Sequence, residues 1–335
     1  MIKFTVTDEY DAYRIDKYIK EQNEENLYSR TLIDKYIQTE KVSVNGKIVT
    51  KKSYPVKTND EIIINLLDIE QERVEHIQQE PIDLKILYED EYLAVIDKPS
   101  GMTVHPGAGN HYGTLANALL YHFGNNLSNI DSEDSKIQQR AGIVHRLDKD
   151  TSGVIIITKD NQTHYGMSQL FMNRLVDKTY LCICLGVPDP LQGTIDKSIG
   201  RCKSNRKKMT VDPDGKPAVT HYKTLIDFEY FSLLEVKLET GRTHQIRVHL
   251  DSIYHPIIAD EVYNSLKRTL GSCPPNKQIA IKMYLNKHIH RQALHAYKVQ
   301  FNHPRLNKVI QVESALPDDM EDFISFLKNN FTYYQ

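Results

Sequence analysis

The chain has 335 residues, 42 Lys+Arg against 44 Asp+Glu, a formal net charge of −2, and 40% hydrophobic and 26% charged residues. That composition excludes a disordered or polybasic chain and leaves a globular protein of two or three domains at ~150 residues each. No apolar stretch approaches membrane-spanning length, the start lacks a signal-peptide apolar segment, and the four cysteines contain no Cys-x-x-Cys pair. A cytoplasmic protein with no zinc site and no disulfide framework is expected.

Residues 1–67 read as a small separate module. Arg14–Ile19 begins a short helix. Ser29 is placed to N-cap a second helix with Leu32, Ile33, Tyr36 and Ile37 on one face. Val42–Val44, Asn45-Gly46 and Lys47–Val49 predict a hairpin, because Asn and Gly both tolerate positive φ. Residues 60–64 predict a closing strand. Residues 14–52 carry nine Lys/Arg against six Asp/Glu. An acidic linker is expected over residues 68–83. Residues 68–91 as a whole hold nine acids against Arg73 and Lys85.

The larger domain is expected over residues 84–335. Strand patterns recur at Leu93–Ile96, Val154–Thr158, Lys178–Leu185, Ser232–Leu238 and Leu294–Phe301. Helical patterns fall at Leu115–His122, Gln162–Leu175 and Asp318–Phe331, the last with Asp318 and Glu321 spaced as a capping box. Strands outnumber helices without regular alternation, so the expected class is α+β with a mainly antiparallel sheet. Residues 264–290 read as a surface loop. Residues 197–208 hold Lys197, Arg201, Lys203, Arg206, Lys207 and Lys208 with no acid, so a basic surface hides in a neutral total.

Two runs concentrate chemistry. Gly142-Ile143-Val144-His145-Arg146-Leu147-Asp148-Lys149-Asp150-Thr151-Ser152-Gly153 delivers a carboxylate on a loop that enters a β-branched strand, an arrangement that presents a catalytic group from a rigid support. Alone, an Asp beside Arg and Lys is more often a surface ion pair. The second run, Glu239-Thr240-Gly241-Arg242-Thr243-His244-Gln245-Ile246-Arg247-Val248-His249-Leu250, again sets arginines beside a Gly turn at a strand end. A Ser-His-Asp reading of Ser152 with His145 or His244 fails, since no Gly-x-Ser-x-Gly elbow is present.

Together these runs resemble the RluA family of pseudouridine synthases. Ile96–Pro106 resembles the family's first motif and Lys178-Thr179-Tyr180-Leu181 its tyrosine strand. Val104–Asn110, Gly215–Tyr222 and Arg291–Ala296 resemble the RluD-type branch. Residues 10–67, with Ser29-Arg30 and Val44-Asn45-Gly46-Lys47, resemble an S4 RNA-binding domain.

The resemblance implies a mixed sheet with a central cleft, and isomerisation of uridine to pseudouridine in RNA. Its branch points to the helix 69 stem-loop of 23S large-subunit ribosomal RNA. The reaction gains and loses no atom, so no cofactor or metal is implied. Asp148 matches the catalytic Asp, Tyr180 the ring against the target base and Arg247 the partner of the Asp. Arg146 matches the residue that fills the space left by a flipped base. Ile246, Arg242 and His145 are expected on the substrate side. RNA contacts are expected from Arg14, Ser29, Arg30, Lys35, Lys47, Arg206, Lys207 and Lys208, in a monomer acting on RNA, within ribosomal precursors or free. Two other readings share features: a non-catalytic S4-containing RNA-binding protein, and an RNA methyltransferase acting on ribosomal RNA. Against the second, Gly107–Gly113 is one residue too long for Gly-x-Gly-x-x-Gly, and no βαβ alternation accompanies it.

Overall fold

The structure, a computed structural model, describes all residues except 23–29, 66–76, 108–111, 129–140, 206–207 and 335; of 30–32, 35 and 125 it describes the backbone alone. The described residues form two compact units, one within Met1–Ile77 and one beginning at Gln78.

The first unit contains β1 (Ile2–Thr5), α1 (Ile15–Glu21), α2 (Arg30–Gln38), β2 (Val42–Val44), β3 (Lys47–Ile48) and β4 (Glu61–Ile64). Its sheet runs β1-β4-β2-β3 with every neighbour antiparallel. Asn45 and Gly46 take φ of 49° and 76°, the left-handed pair that a two-residue hairpin requires. Ile15, Tyr18 and Ile19 of α1 and Ile33, Tyr36 and Ile37 of α2 bury against Val42, Val44, Ile62 and Ile64. Ser29 lies outside the described residues, so its cap has no counterpart here.

The second unit is a nine-stranded sheet in the order β5-β6-β7-β14-β8-β13-β12-β9, with β15 beside β14. These strands are β5 (Lys85–Glu89), β6 (Leu93–Lys98), β7 (Ser152–Thr158), β8 (Asp177–Leu185), β9 (Gln192–Asp196), β12 (Val219–Asp227), β13 (Phe231–Leu238), β14 (Leu294–Asn302) and β15 (Val309–Glu313). Only β7 with β14 is parallel; the other pairs are antiparallel, as expected. Strand β7 is buried along its whole length, which its unbroken β-branched run requires. A separate hairpin joins β10 (Ile199–Arg201) to β11 (Met209–Val211). Helices are α3 (Leu115–Phe123), α4 (Asn161–Met172), α5 (Gln245–Asp251), α6 (Leu266–Gly271), α7 (Pro275–His288) and α8 (Asp318–Asn330). Among the described residues no helix is long and apolar enough to cross a membrane.

Three local expectations are corrected. Residues 264–290 are not a loop: they hold α6 and α7. The Ser265 side chain caps α6, Pro275 opens α7, and Ile281 and Leu285, four apart, bury its inner face. The capping box at Asp318 is absent. Pro317 is the extended cap residue, so helix geometry starts at Asp318, and Asp318, Asp319 and Glu321 sit in the first turn as charges facing unpaired amides. Third, the end of the acidic linker packs onto the second unit. The Asn117 amide donates to the Gln78 carbonyl at 2.8 Å, and Glu80 accepts from the Gly113 N–H at 3.1 Å.

Candidate active site

Asp148 is held by a loop fastened at both ends. At the entry, Gly142 has φ +76°, and a Cβ there would collide with the Thr158 carbonyl. Thr158 donates its N–H (2.9 Å) and hydroxyl (3.0 Å) to the Gly142 carbonyl. At the exit, Gly153 has φ +110° and lies against the Ala296 backbone, leaving no room for a side chain where β7 meets β14. Between them the Thr151 N–H donates to the Asp148 carbonyl at 3.1 Å, closing a turn. Lys98 fastens the tip. It is fully buried, and its Nζ donates to the carbonyls of Pro99 (2.7 Å), Met102 (2.9 Å) and Lys149 (3.0 Å). Burial pushes the Lys98 pKa down to about 8, against the charges of Asp150 and Asp148.

Arg247 comes from α5. Its N-cap, His244, adopts left-handed geometry with φ 56° and ψ 20°. The buried Gln245 amide orders that turn. Its Oε1 accepts from the Thr240 hydroxyl (2.7 Å) and the Arg242 N–H (3.0 Å), while Nε2 donates to the Val219 carbonyl at 2.9 Å. Arg247 Nη1 then donates to Asp148 Oδ2 at 3.0 Å. Its Nε and Nη2 grip Asp260 in a two-bond fork, at 2.6 and 2.8 Å. Side-chain exposure separates the two carboxylates: Asp260 is at 0% and Asp148 at 19%. Asp260 anchors the arginine from behind, and Asp148 faces the opening. Burial works against the Arg247 charge, but Asp260 and then Asp148 outweigh it and drive the pKa up.

The cleft is lined by Arg146, Asp148, Tyr180, Arg242, Ile246 and Arg247, among others. Six of the seven expected catalytic and substrate-side residues therefore converge, from stretches of sequence a hundred residues apart. Tyr180 sits on β8, almost fully buried. Burial and then the Asp148 charge push its phenol well up, so it keeps its proton at neutral pH. Ile246 is buried beside Arg247. Arg146 and Arg242 are exposed at the rim, where Arg242 Nε also donates to the Pro217 carbonyl at 3.1 Å.

His145 is the one not brought to the cleft. Its Nε2 accepts from the Ile156 N–H at 2.8 Å and its ring packs on Phe171, 4.8 Å between centroids. Burial and the Lys178 ammonium push its pKa down to about 3. This neutral ring fastens the Asp148 loop to β7.

Residues to which sequence reasoning gave no role complete the site. Asp260 is one. His244 is another, with Nε2 4.0 Å from Asp148 Oδ2. Burial pushes the His244 pKa down, so this is a contact of a neutral ring and not an ion pair. Tyr263 is the third. Its hydroxyl donates to the Met209 carbonyl (3.0 Å) and accepts from the Met209 N–H (2.9 Å). With that proton committed, the 3.1 Å contact to His244 has Nδ1–H donating, which leaves Nε2 as the bare acceptor facing Asp148. An Asp following the apolar Ile257-Ile258-Ala259 was the available signal, because a carboxylate in such a setting needs a cation.

Of the expected RNA contacts, Lys47 is exposed at the β2–β3 turn. Arg14 is bonded to Asp16 through Nε (3.0 Å) and Nη2 (2.8 Å). Lys208 lies over the Tyr263 ring, 4.7 Å from its centroid. The Arg30 and Lys35 side chains, Ser29, Arg206 and Lys207 lie outside the described residues.

The sequence profile described as RNA pseudouridylate synthase matches residues 92–252, and the S4 domain profile matches residues 14–62. The chain is 38% identical to a Bacillus subtilis protein called an uncharacterized RNA pseudouridine synthase, covering 98% of this chain and 99% of that one. It is 38% identical to the ribosomal large subunit pseudouridine synthase D of Nitrosomonas europaea, covering 98% and 88%. The solved structure of human RNA pseudouridylate synthase domain containing 4 superposes with a TM-score of 0.53 at 28% identity, covering 73% of this chain and 93% of that one. The chain belongs to the RNA pseudouridine synthases, isomerases that convert uridine to pseudouridine in RNA.

Proposed function

We propose that this enzyme isomerises uridine in large-subunit ribosomal RNA, with the helix 69 stem-loop as its target and Asp148 as the central catalytic group. The observation that carries the chemistry is Asp148 at the mouth of the cleft, one oxygen bonded to Arg247 at 3.0 Å. One carboxylate oxygen is held and oriented, and the other is left for the substrate. A positioned carboxylate can act as nucleophile or take a ribose proton. Tyr180 and Ile246 offer a flat and an apolar surface for the uracil. Because Tyr180 holds its proton, stacking and hydrogen-bond donation suit it better than proton abstraction. Arg146 stands exposed at the rim, where it can enter the gap left by a flipped base. The first unit, with Lys47 exposed, adds phosphate contacts without entering the chemistry.

The ribosomal target rests on relatives of similar length named ribosomal large subunit pseudouridine synthase D. Its test is a map of pseudouridines across ribosomal RNA from a strain lacking the gene. Loss confined to the helix 69 loop, restored by the wild-type gene, is expected. Intact helix 69 pseudouridines with loss at another site or in transfer RNA would overturn the target.

A further inference from the structure

The segment between Glu261 and Glu313 contains nine Lys/Arg and no acidic residue. Several of these cations are engaged within the fold: Arg291 with Asp319, Lys298 with Glu313, Arg305 with Asp160, and Lys277 with the Asn330 carbonyl. On α6 itself stand Lys267 and Arg268. Lys267 is exposed. Arg268 Nη1 reaches Asp251 at 2.6 Å. The same carboxylate lies 3.9 Å from Lys208 of the acid-free 197–208 segment. One carboxylate thus gathers cations from two distant stretches of chain.

Asp251 ends α5 and sits four residues after Arg247, on the same helix face and roughly 6 Å along the axis at 1.5 Å per residue. Tyr263 links the two points directly. Its ring lies under Lys208 at 4.7 Å and under Arg247 at 5.2 Å. Just beyond is Tyr254, 83% exposed, with left-handed φ of 68° and its N–H on the Asp251 carbonyl at 3.0 Å. It is the most exposed large hydrophobic residue described. A solvated tyrosine in strained backbone, three residues along the chain from the carboxylate that gathers these cations, suits a site where bases stack and phosphates are held.

We propose that Tyr254, Lys208, Lys267 and Arg268 form a second RNA-contact surface, which holds the strand flanking the flipped uridine, with Tyr254 stacked on a base and the cations on phosphates. The proposal rests on the chain acting on RNA and names which surface receives the strand outside the cleft. Asp251 is repulsive to phosphate on its own, but it is matched by Lys208 and Arg268 and sets their spacing.

The test uses full-length enzyme and an RNA stem-loop substrate carrying 2-aminopurine at successive positions around the target. Wild-type protein should quench or enhance one flanking 2-aminopurine on binding. Tyr254→Ala should abolish that change and weaken binding about tenfold, while Tyr254→Phe restores both. Lys267→Ala with Arg268→Ala should lower the slope of log affinity against log salt by roughly 0.7 to 0.9 per lost phosphate contact. The single-turnover rate at saturating RNA should stay within about threefold in all variants, because none touches the reacting base. An unchanged 2-aminopurine signal and affinity in Tyr254→Ala, with wild-type enzyme active, would overturn the surface. Loss of the saturated rate would place these residues in the catalytic machinery and overturn it too. Inactive wild-type enzyme on every uridine-containing RNA would instead remove the reading on which it rests.

Discussion

Arg247 occupies a position that only a guanidinium fills. It bonds one carboxylate through two nitrogens and a second through the third, and its face lies over Tyr263. A lysine could not make that fork. The buried Asp260 is what keeps Arg247 rigid, so its removal should propagate to Asp148. Asp260→Asn is expected to cost about 3 kcal/mol of stability, the usual scale for breaking a buried ion pair. It should also lower kcat about 100-fold through misplacement of the pair, with RNA affinity little changed. Urea unfolding and single-turnover kinetics measure the two effects. Wild-type kcat in Asp260→Asn would show that Asp148 is held correctly without it. At this scale the sequence announced Asp148, Arg247 and Tyr180, because each sits in a dense local motif. Asp260 offered only the signal of a carboxylate after an apolar run, and its partner is a contact that only the folded chain supplies. His145 was misleading for the opposite reason: it is inside the motif, but its ring is consumed by β7.

At the scale of elements, Lys98 at the end of β6 bonds the Pro99 and Met102 carbonyls of the segment that follows it and ties both to the Asp148 loop through the Lys149 carbonyl. Lys98→Met keeps the stem but removes the donor of three hydrogen bonds from a charged group, at about 1–3 kcal/mol for each. A loss of about 3 kcal/mol or more is expected, together with a drop in kcat, because the loop that loses its fastening carries Asp148, the proposed catalytic group. Thermal unfolding and steady-state kinetics test this, and a variant of wild-type stability would contradict it. The strong strands were legible from a β-branched run in β7 and from dense apolar patterns in β8 and β13. The Asn45-Gly46 hairpin was legible from two residues. Strands β9 and β15 were not: they are short edge strands of mixed polarity whose pairing is set by distant partners. Helices α6 and α7 were missed for want of a strong one-sided pattern, since exposed Ile279 and Met283 blur the face defined by Ile281 and Leu285.

Across the whole molecule, buried neutral histidines set the response to acid. Burial pushes the pKa of His145, His249 and His295 down. An unfolded histidine titrates near 6.5. Below that pH the unfolded chain takes up protons that the folded chain refuses. The stability these residues allow is therefore complete above about 6.5 and is lost as pH falls, over a window that for His145 extends down to about 3. The loss is at most about 1.4 kcal/mol per histidine per pH unit. Urea midpoints should be lower at pH 5.5 than at pH 7.5, before most carboxylates begin to titrate. Equal midpoints would mean that these rings protonate freely in the folded state. The α+β class and the mainly antiparallel sheet followed from strand patterns that outnumber the helical ones without regular alternation. The single parallel pairing of β7 with β14 did not, yet it brings the start of the Asp148 strand beside Ala296.

The central claim is that the Asp148 carboxylate performs the chemistry while other groups bind and position the RNA. Asp148→Asn keeps the side-chain size and removes the negative charge. RNA affinity should survive, because phosphate contacts supply most of it. The direct measurement is a single-turnover assay of tritium release from C5-labelled uridine in RNA, with Asp148→Asn enzyme in excess. The account predicts wild-type-like binding and release below detection; substantial release by this variant would contradict it and place the reacting carboxylate elsewhere.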